Sequence, residues 1–221
     1  MDKRLLTCAE LCTGDFVCDV GTDHGYLPCF MIKEKMCEKA VACDVAEKPL
    51  RSAEEHIRRE GLADRIKTVL SDGLDSVEPE EITDVVMAGM GGELISELLG
   101  KCEWIRIRKV NLVLQPMTKW DVLRKWLYEN GFEVKKEKAC IEGQFVYSVM
   151  QAEYIGRQPC YRCSERYLHF GFIKPEGDGK EYIKRQAQRL LTAGKGMLRS
   201  EDKKALGEKL VALAESELEQ L

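Results

Sequence analysis

Between Phe16 and Pro28 a short apolar run closes on an acidic residue, Asp19, and passes through a tight turn holding Gly21 and Gly25. It then opens into an amphipathic segment from Leu27. Strand, turn and helix in that order begin a doubly wound α/β sheet, and such a sheet constrains everything that follows it. Gly21 permits backbone angles forbidden to other residues and lets the main chain approach a ligand closely. Asp19 falls at the carboxyl end of the strand, the edge on which open α/β sheets bind their ligands. The pattern is D-x-G-x-D-x-G rather than the dinucleotide fingerprint G-x-G-x-x-G, with Asp23 where a middle glycine would sit. A plain strand-to-helix turn has the same spacing, so the loop alone does not settle its use.

The rest of the chain repeats the alternation. Strands are predicted over residues 16–19, 39–44, 66–70, 82–88 and 111–114, and helices over 3–12, 27–36, 49–60, 93–99 and 120–130. Pro49 suits a first helical turn and Gly61 a helix stop. Two more strands, 132–139 and 145–152, are joined through Glu142-Gly143, too short a link for a helical crossover, so they pair antiparallel. The expected fold is a Rossmann-like α/β sheet of seven mostly parallel strands over residues 1–153. Polar or glycine residues follow five strand ends: Asp19 to Gly25, Asp44, Asp72-Gly73, Gly89-Met90-Gly91-Gly92 and Gln115-Pro116. One site along that edge is the economical explanation.

After residue 153 the chain changes character. Ile183, Ala187, Leu190 and Leu191, then Leu206, Leu210 and Leu213, stand at helical spacing. They predict two amphipathic helices over 154–221, broken around Ala193-Gly194-Lys195-Gly196, with Ser200 capping the second: a helical hairpin or short coiled coil. The net charge of −4 divides into −7 for residues 1–153 and +3 for the tail, with eight basic against three acidic residues over 180–204. A basic appendage on an acidic body points to a polyanionic partner, although a solvated helix face has the same composition. No apolar run nears the roughly 18 residues of a membrane span, and the first residues lack a secretory h-region. Ten cysteines lie mostly inside strand and helix patterns, as buried free thiols of a reducing cytoplasm would. Cys160 and Cys163 with His169 lack a fourth ligand at a usual zinc spacing, so no metal is expected.

The acidic-glycine loop is a variant of that of S-adenosylmethionine (SAM) enzymes, where a carboxylate in place of a middle glycine suits a ligand bearing a sulfonium and an ammonium. The chain moreover resembles the bacterial tRNA adenine(22)-N1-methyltransferase family, through Lys3-Arg4-Leu5, Asp23-His24-Gly25-Tyr26-Leu27-Pro28, Ala88-Gly89-Met90-Gly91-Gly92, and Leu114-Gln115-Pro116 ahead of Trp126-Leu127. The resemblance implies a class I methyltransferase domain with a C-terminal helical tRNA-docking domain, acting on N1 of an adenosine with SAM as methyl donor. Gly21, His24 and Gly25 would then approach the methionine moiety of SAM, with Asp19 or Asp23 at its ammonium. Asp44, 25 positions after Asp19, would meet the ribose beside Val45, and Asp72-Gly73 the adenine, with Gly89, Met90 and Gly91 alongside.

On the substrate side the candidates are Met90, Gly92, Gln115, Pro116 and Lys119, with Lys184, Arg185 and Arg189 from the tail; Asp23 and Gln115 are the candidate contacts to the target base. Asp44 and Asp72 suit turn caps equally, and Met90 suits core packing. The expected partner is tRNA, and the expected state a monomer or weak dimer. A nicotinamide-linked oxidoreductase is disfavoured by the missing G-x-G-x-x-G, and a non-catalytic RNA-binding module by the intact acidic strand ends.

Overall fold

The computed structural model describes residues 1–221. Helix α1 (Lys3–Ala9) is capped by Asp2, which accepts a hydrogen bond from the Leu5 amide at 2.7 Å. There follow β1 (Phe16–Val20), α2 (Tyr26–Lys33), β2 (Lys39–Asp44), α3 (Glu47–Arg59), β3 (Ile66–Leu70), β4 (Asp84–Gly91), α4 (Gly92–Lys101) and α5 (Trp104–Arg108). Next come β5 (Asn111–Thr118), α6 (Trp120–Glu129), β6 (Phe132–Glu142), β7 (Phe145–Tyr154), α7 (Glu165–Phe170), α8 (Asp178–Met197) and α9 (Lys204–Glu219).

The seven strands form one sheet in the order β3-β2-β1-β4-β5-β7-β6. Strands β1 to β5 are parallel, and β7 is antiparallel to β6, as the sequence predicts, and also to β5. Both faces are buried. Helices α1, α2 and α3 cover one through Cys8, Leu27, Met31, Ala53 and Ile57, and α4 and α6 the other through Ile95, Leu99, Leu123 and Leu127. The strand order reverses between β1 and β4, so the crevice over their carboxyl ends is where such a sheet binds ligands.

The register of the central strands is pinned from below by Asp84, which is fully buried. Its carboxylate accepts from the Thr13 and Gly14 amides at 2.8 Å each and from Asn111 Nδ2 at 2.5 Å, joining the loop before β1 to the starts of β4 and β5. Gly14 is there because a Cβ would lie 2.2 Å from Thr83 Oγ1.

Two expected loops belong to the sheet. Gly89, Met90 and Gly91 continue β4, and Gln115 to Thr118 continue β5, with a pairing irregularity around Met90. β7 pairs only as far as Leu114, so beyond it β5 is an edge strand, where Pro116 is tolerated. Helices α5 and α7 have no expectation behind them; α7 starts where Ser164 accepts from the Tyr167 amide.

The tail corrects the expected break. α8 runs through Ala193-Gly194-Lys195-Gly196 without interruption, and the chain reverses over residues 198–203, ending in a 3₁₀ turn (Glu201–Lys203). The Ser200 side chain makes no capping bond. Gly194 is needed for proximity: a Cβ on it would sit 2.9 Å from the Gly207 carbonyl oxygen, and one on Gly207 2.8 Å from that of Gly194. Two facing glycines let α8 and α9 pack closely. The apolar stripe of α8 meets β6 and β7 through Tyr182, Ile183, Ala187 and Leu190 around Val146, and Leu210 and Ala214 of α9 join the same cluster.

A buried ion pair fastens this tail to the sheet. Arg124 of α6 and Glu137 of β6, both fully buried at their side chains, meet at 2.5 Å. The guanidinium also donates to the Leu168 carbonyl at 2.7 Å and to Tyr182 Oη of α8 at 3.1 Å, while Glu137 accepts from the Phe172 amide at 2.9 Å. Burial, the largest single effect, disfavours the charged Arg124, but Glu137 and Tyr182 together outweigh it and hold the guanidinium pKa above its usual range. Glu137→Ala leaves that charge buried and alone, and is expected to reduce stability by about 3–5 kcal/mol in urea unfolding, with the tail loosening first in hydrogen exchange.

Candidate active site

A cavity of about 440 Å³ opens over the carboxyl ends of β1 and β4. β1 supplies Asp19, the loop after it Gly21, Thr22 and Asp23, α1 supplies Arg4 and Leu5, β4 supplies Ala88 and Gly89, and β5 supplies Met117. The loop owes its shape to left-handed residues: Gly21 has φ 74°, Gly25 φ 67° and Asp23 φ 51°, the last a residue type that tolerates this region. Gly21 is also a close approach, since a Cβ there would lie 2.4 Å from Met90 Cε. Met90 is half-buried and packs on the core, giving it a structural reason as well as a place beside the loop.

Asp19 is 5% exposed. Burial raises its pKa to about 6, against the pull of Thr22 and of the Arg4 guanidinium. Thr22 Oγ1 stands close enough to matter, yet it is buried without a hydrogen bond of good geometry. The cavity therefore holds a carboxylate short of positive partners, a spare hydroxyl and a guanidinium.

Gln115 is fully buried, and its amide is engaged at both ends. Its Oε1 accepts from Arg4 Nη1 at 2.9 Å and from the Gly89 amide at 3.0 Å, and its Nε2 donates to the Pro116 carbonyl at 3.0 Å. It holds Arg4 against the β4–β5 rim. Asp23 is the opposite case, with 71% of its side chain exposed at the cavity mouth and its Oδ2 3.5 Å from His24 Nε2. The His24 carbonyl accepts from His56 Nδ1 at 2.9 Å, tying the loop to α3.

Asp44 and Asp72 extend the acidic edge past β2 and β3. Asp44 is half-buried, and its Oδ1 accepts from the Ala46 amide at 2.9 Å, leaving the other oxygen free; Val45 beside it is exposed. Asp72 is exposed, and Gly73, at φ 58°, has Leu98 2.7 Å from where a Cβ would be. Gly91 is half-buried at the end of β4. Gly92 does not open on the cavity: a Cβ would lie 2.2 Å from the Lys119 carbonyl oxygen, so its smallness serves the packing of α4 on the chain before α6.

The basic candidates separate. Lys119 is exposed just before α6, in the left-handed region with φ 56°, and does not line the cavity. Lys184 is exposed and makes no contact with the cavity. Arg185 is engaged by Glu181 and the Gln144 carbonyl, whereas Arg189 lies over the Trp120 ring. Arg4, Thr22, Tyr26 and Met117 line the cavity without having been singled out as site residues; Arg4 and Tyr26 carried a signal, as parts of the Lys3-Arg4-Leu5 and Asp23-His24-Gly25-Tyr26-Leu27-Pro28 matches.

A family described as a methyltransferase domain matches residues 1–150. A Bacillus subtilis protein named tRNA (adenine(22)-N(1))-methyltransferase is 32% identical over 162 residues, 73% of this chain and 68% of the relative. The chain belongs to this methyltransferase family. A crystal structure from Streptococcus pneumoniae, of a candidate tRNA (m1A22) methyltransferase of the family, superposes with a TM-score of 0.86 at 26% identity, covering 99% of both chains. The same protein in complex with S-adenosyl-L-methionine gives 0.82 at 27% identity, again over 99% of both chains. Coverage of that extent brings the helical tail into the family architecture as well.

The raised Asp19 pKa makes a stability prediction. Its charged form is disfavoured by folding, so its contribution is intact below about pH 4 and is lost as pH rises through about 6. The stability of the wild type relative to Asp19→Asn is expected to fall by up to about 3 kcal/mol across that window, read from urea midpoints of the ligand-free proteins; parallel pH profiles would remove the burial penalty.

Proposed function

We propose that the protein is a SAM-dependent tRNA methyltransferase that modifies N1 of the adenosine at position 22, as its B. subtilis relative is named to do. The observation that carries this reading is the opposed pair Asp19 and Arg4 facing one cavity at the sheet's switch point. The methionine end of SAM bears an ammonium and a carboxylate, and the cavity offers a buried carboxylate for the first and a guanidinium with the spare Thr22 hydroxyl for the second. The Gly21 to Gly25 turn leaves room for close approach by the main chain. Asp44, with one oxygen uncommitted, suits the ribose hydroxyls, and Asp72 with Gly73 the adenine edge.

SAM supplies an electrophilic methyl group on its sulfonium. Neutral adenine N1 presents an in-plane lone pair and no proton, so the protein needs no strong base; its task is to hold the base in line, an effect of several kcal/mol. Positive charge develops on the adenine ring, and the exposed carboxylate of Asp23 at the cavity mouth is placed to favour it. Gln115 acts as a positioning residue, fixing Arg4 and the Gly89 amide at the rim. N1 lies on the pairing edge, so the nucleotide has to be unpaired or flipped, at a few kcal/mol.

Residues 154–221 form the tRNA-docking part in this reading, supported by their net charge of +3 against −7 for the rest. The enzyme acts as a monomer or weak dimer in the cytoplasm. Its ten cysteines are free, and no helix is long and apolar enough to cross a membrane.

Incubation with labelled SAM and unmodified tRNA, followed by nucleoside analysis, is expected to yield 1-methyladenosine from the wild type. Asp23→Ala is expected to reduce transfer by at least about tenfold, and wild-type rates would remove Asp23 from the site. SAM affinity measured by calorimetry is expected to rise from pH 5 to 7 and then level as Asp19 loses its proton near pH 6. An identical rise in Asp19→Asn would assign the effect to another group.

A further inference from the structure

Beyond Met117 the first cavity gives way to a second of about 340 Å³, between the carboxyl end of β5, the start of β7 and one face of α8. Met117 lines both. The walls of the second are aromatic, with Trp120, Phe145 and Tyr147 among them. Phe145 is 53% exposed, although a ring of that size is ordinarily buried, and its centroid lies 6.3 Å from that of Tyr147 with the planes 36° apart. Arg189 closes the cavity from α8, its guanidinium carbon 5.3 Å from the Trp120 ring centroid. Unlike Arg185, which is spent on Glu181 and the Gln144 carbonyl, Arg189 makes no hydrogen bond or ion pair. Trp120 Nε1 is buried without an acceptor.

We propose that this second cavity receives the base of a nucleotide next to the target adenosine in the tRNA chain, stacked on Phe145 and Tyr147 and held at its phosphate by Arg189. The inference rests on the methyltransferase reading and goes one residue of RNA further. Three features single out a nucleobase. Aromatic faces beside a free guanidinium are the recurring platform for unpaired bases, which every base can use through its π-face. A volume of about 340 Å³ lies at the small end of the range for ligand pockets, as a single base requires. The shared Met117 wall makes the two cavities neighbours, as consecutive nucleotides would need.

The energetics give the cavity a purpose. Drawing the target base out of its stack strips a stacking partner from each neighbour. A platform for one of those neighbours returns part of that loss and fixes the position of the extruded base. A basic helix face holding phosphate alone would need Arg189 but not the exposed Phe145.

The test uses the full-length enzyme at saturating SAM, with tRNA transcripts that are intact or abasic at one or the other neighbour of the target adenosine. Phe145→Ala is expected to lower kcat/KM on intact tRNA by roughly 5- to 100-fold, the stacking of one base, with SAM affinity unchanged. One of the abasic transcripts is expected to lose a similar factor with the wild type and no further factor with Phe145→Ala, because both changes delete the same contact. Arg189→Ala is expected to lower the slope of log affinity against log salt by about one, and Phe145→Ala to leave that slope as it is.

Independent, multiplying losses from Phe145→Ala and both abasic positions would overturn the proposal. Wild-type rates from Phe145→Ala, or an effect on the oligomeric state instead of on tRNA, would do the same. A wild type inactive on intact tRNA would remove the substrate reading and this inference together, whereas activity without coupling overturns the second cavity alone.

Discussion

Parallel strands cannot be joined by a tight turn, and each pair needs a crossover that returns the chain to the same starting edge. That constraint sets the terms for this molecule. With β1 to β5 parallel, all five strands end on one side, and whatever the chain places after a strand arrives at a common edge. Asp84 sharpens the effect from the opposite side by fixing where β1, β4 and β5 begin. Asp19, Asp44 and Asp72 thereby come to lie on successive strand ends, roughly 5 Å apart per strand in the pairing direction.

The edge strand β6 presents a different problem, because a sheet of this kind would expose its last hairpin. The chain covers it with its own tail. The attachment is an ion pair rather than apolar contact alone, and a buried pair such as Arg124 with Glu137 contributes little net stability compared with an apolar alternative. Its value is in specification. The guanidinium reaches Leu168 and Tyr182 and the carboxylate reaches the Phe172 amide, so the path of α7 and the seat of α8 are set by one charged cluster. Gly171 is part of the fit, since a Cβ on it would lie 1.9 Å from Glu137 Oε2. Through Tyr182, Gln186 and Arg189 the same docking forms one wall of the second cavity. The tail is thus part of the body's architecture, and Arg189 of α8 is held in fixed relation to the carboxyl end of β5.

Burial separates two carboxylates four residues apart. Asp19 is buried, and its pKa is raised to about 6; Asp23 projects into solvent at the mouth. A buried carboxylate gains more from a fixed cation than one that water already solvates. The Gln115 amide, expected at the target base, is committed to Arg4, Gly89 and Pro116.

The sequence by itself determined the alternation of strands and helices, the antiparallel hairpin at residues 132–154, the acidic and glycine residues at strand ends, and the family. Each of these is written in local periodicity or in contiguous motifs, and neighbours along the chain are enough to read them. Only the tertiary structure decided that Arg4 meets Gln115 across 111 positions, that Asp84 gathers three starts, and that Gly194 faces Gly207 instead of breaking a helix. It likewise decided that β4 and β5 run on through residues that look like loop, and that Arg189 rather than Lys184 faces a cavity. A glycine or a charge has no periodicity of its own. Its role depends on what arrives opposite it, and that is fixed by packing between segments far apart in the chain.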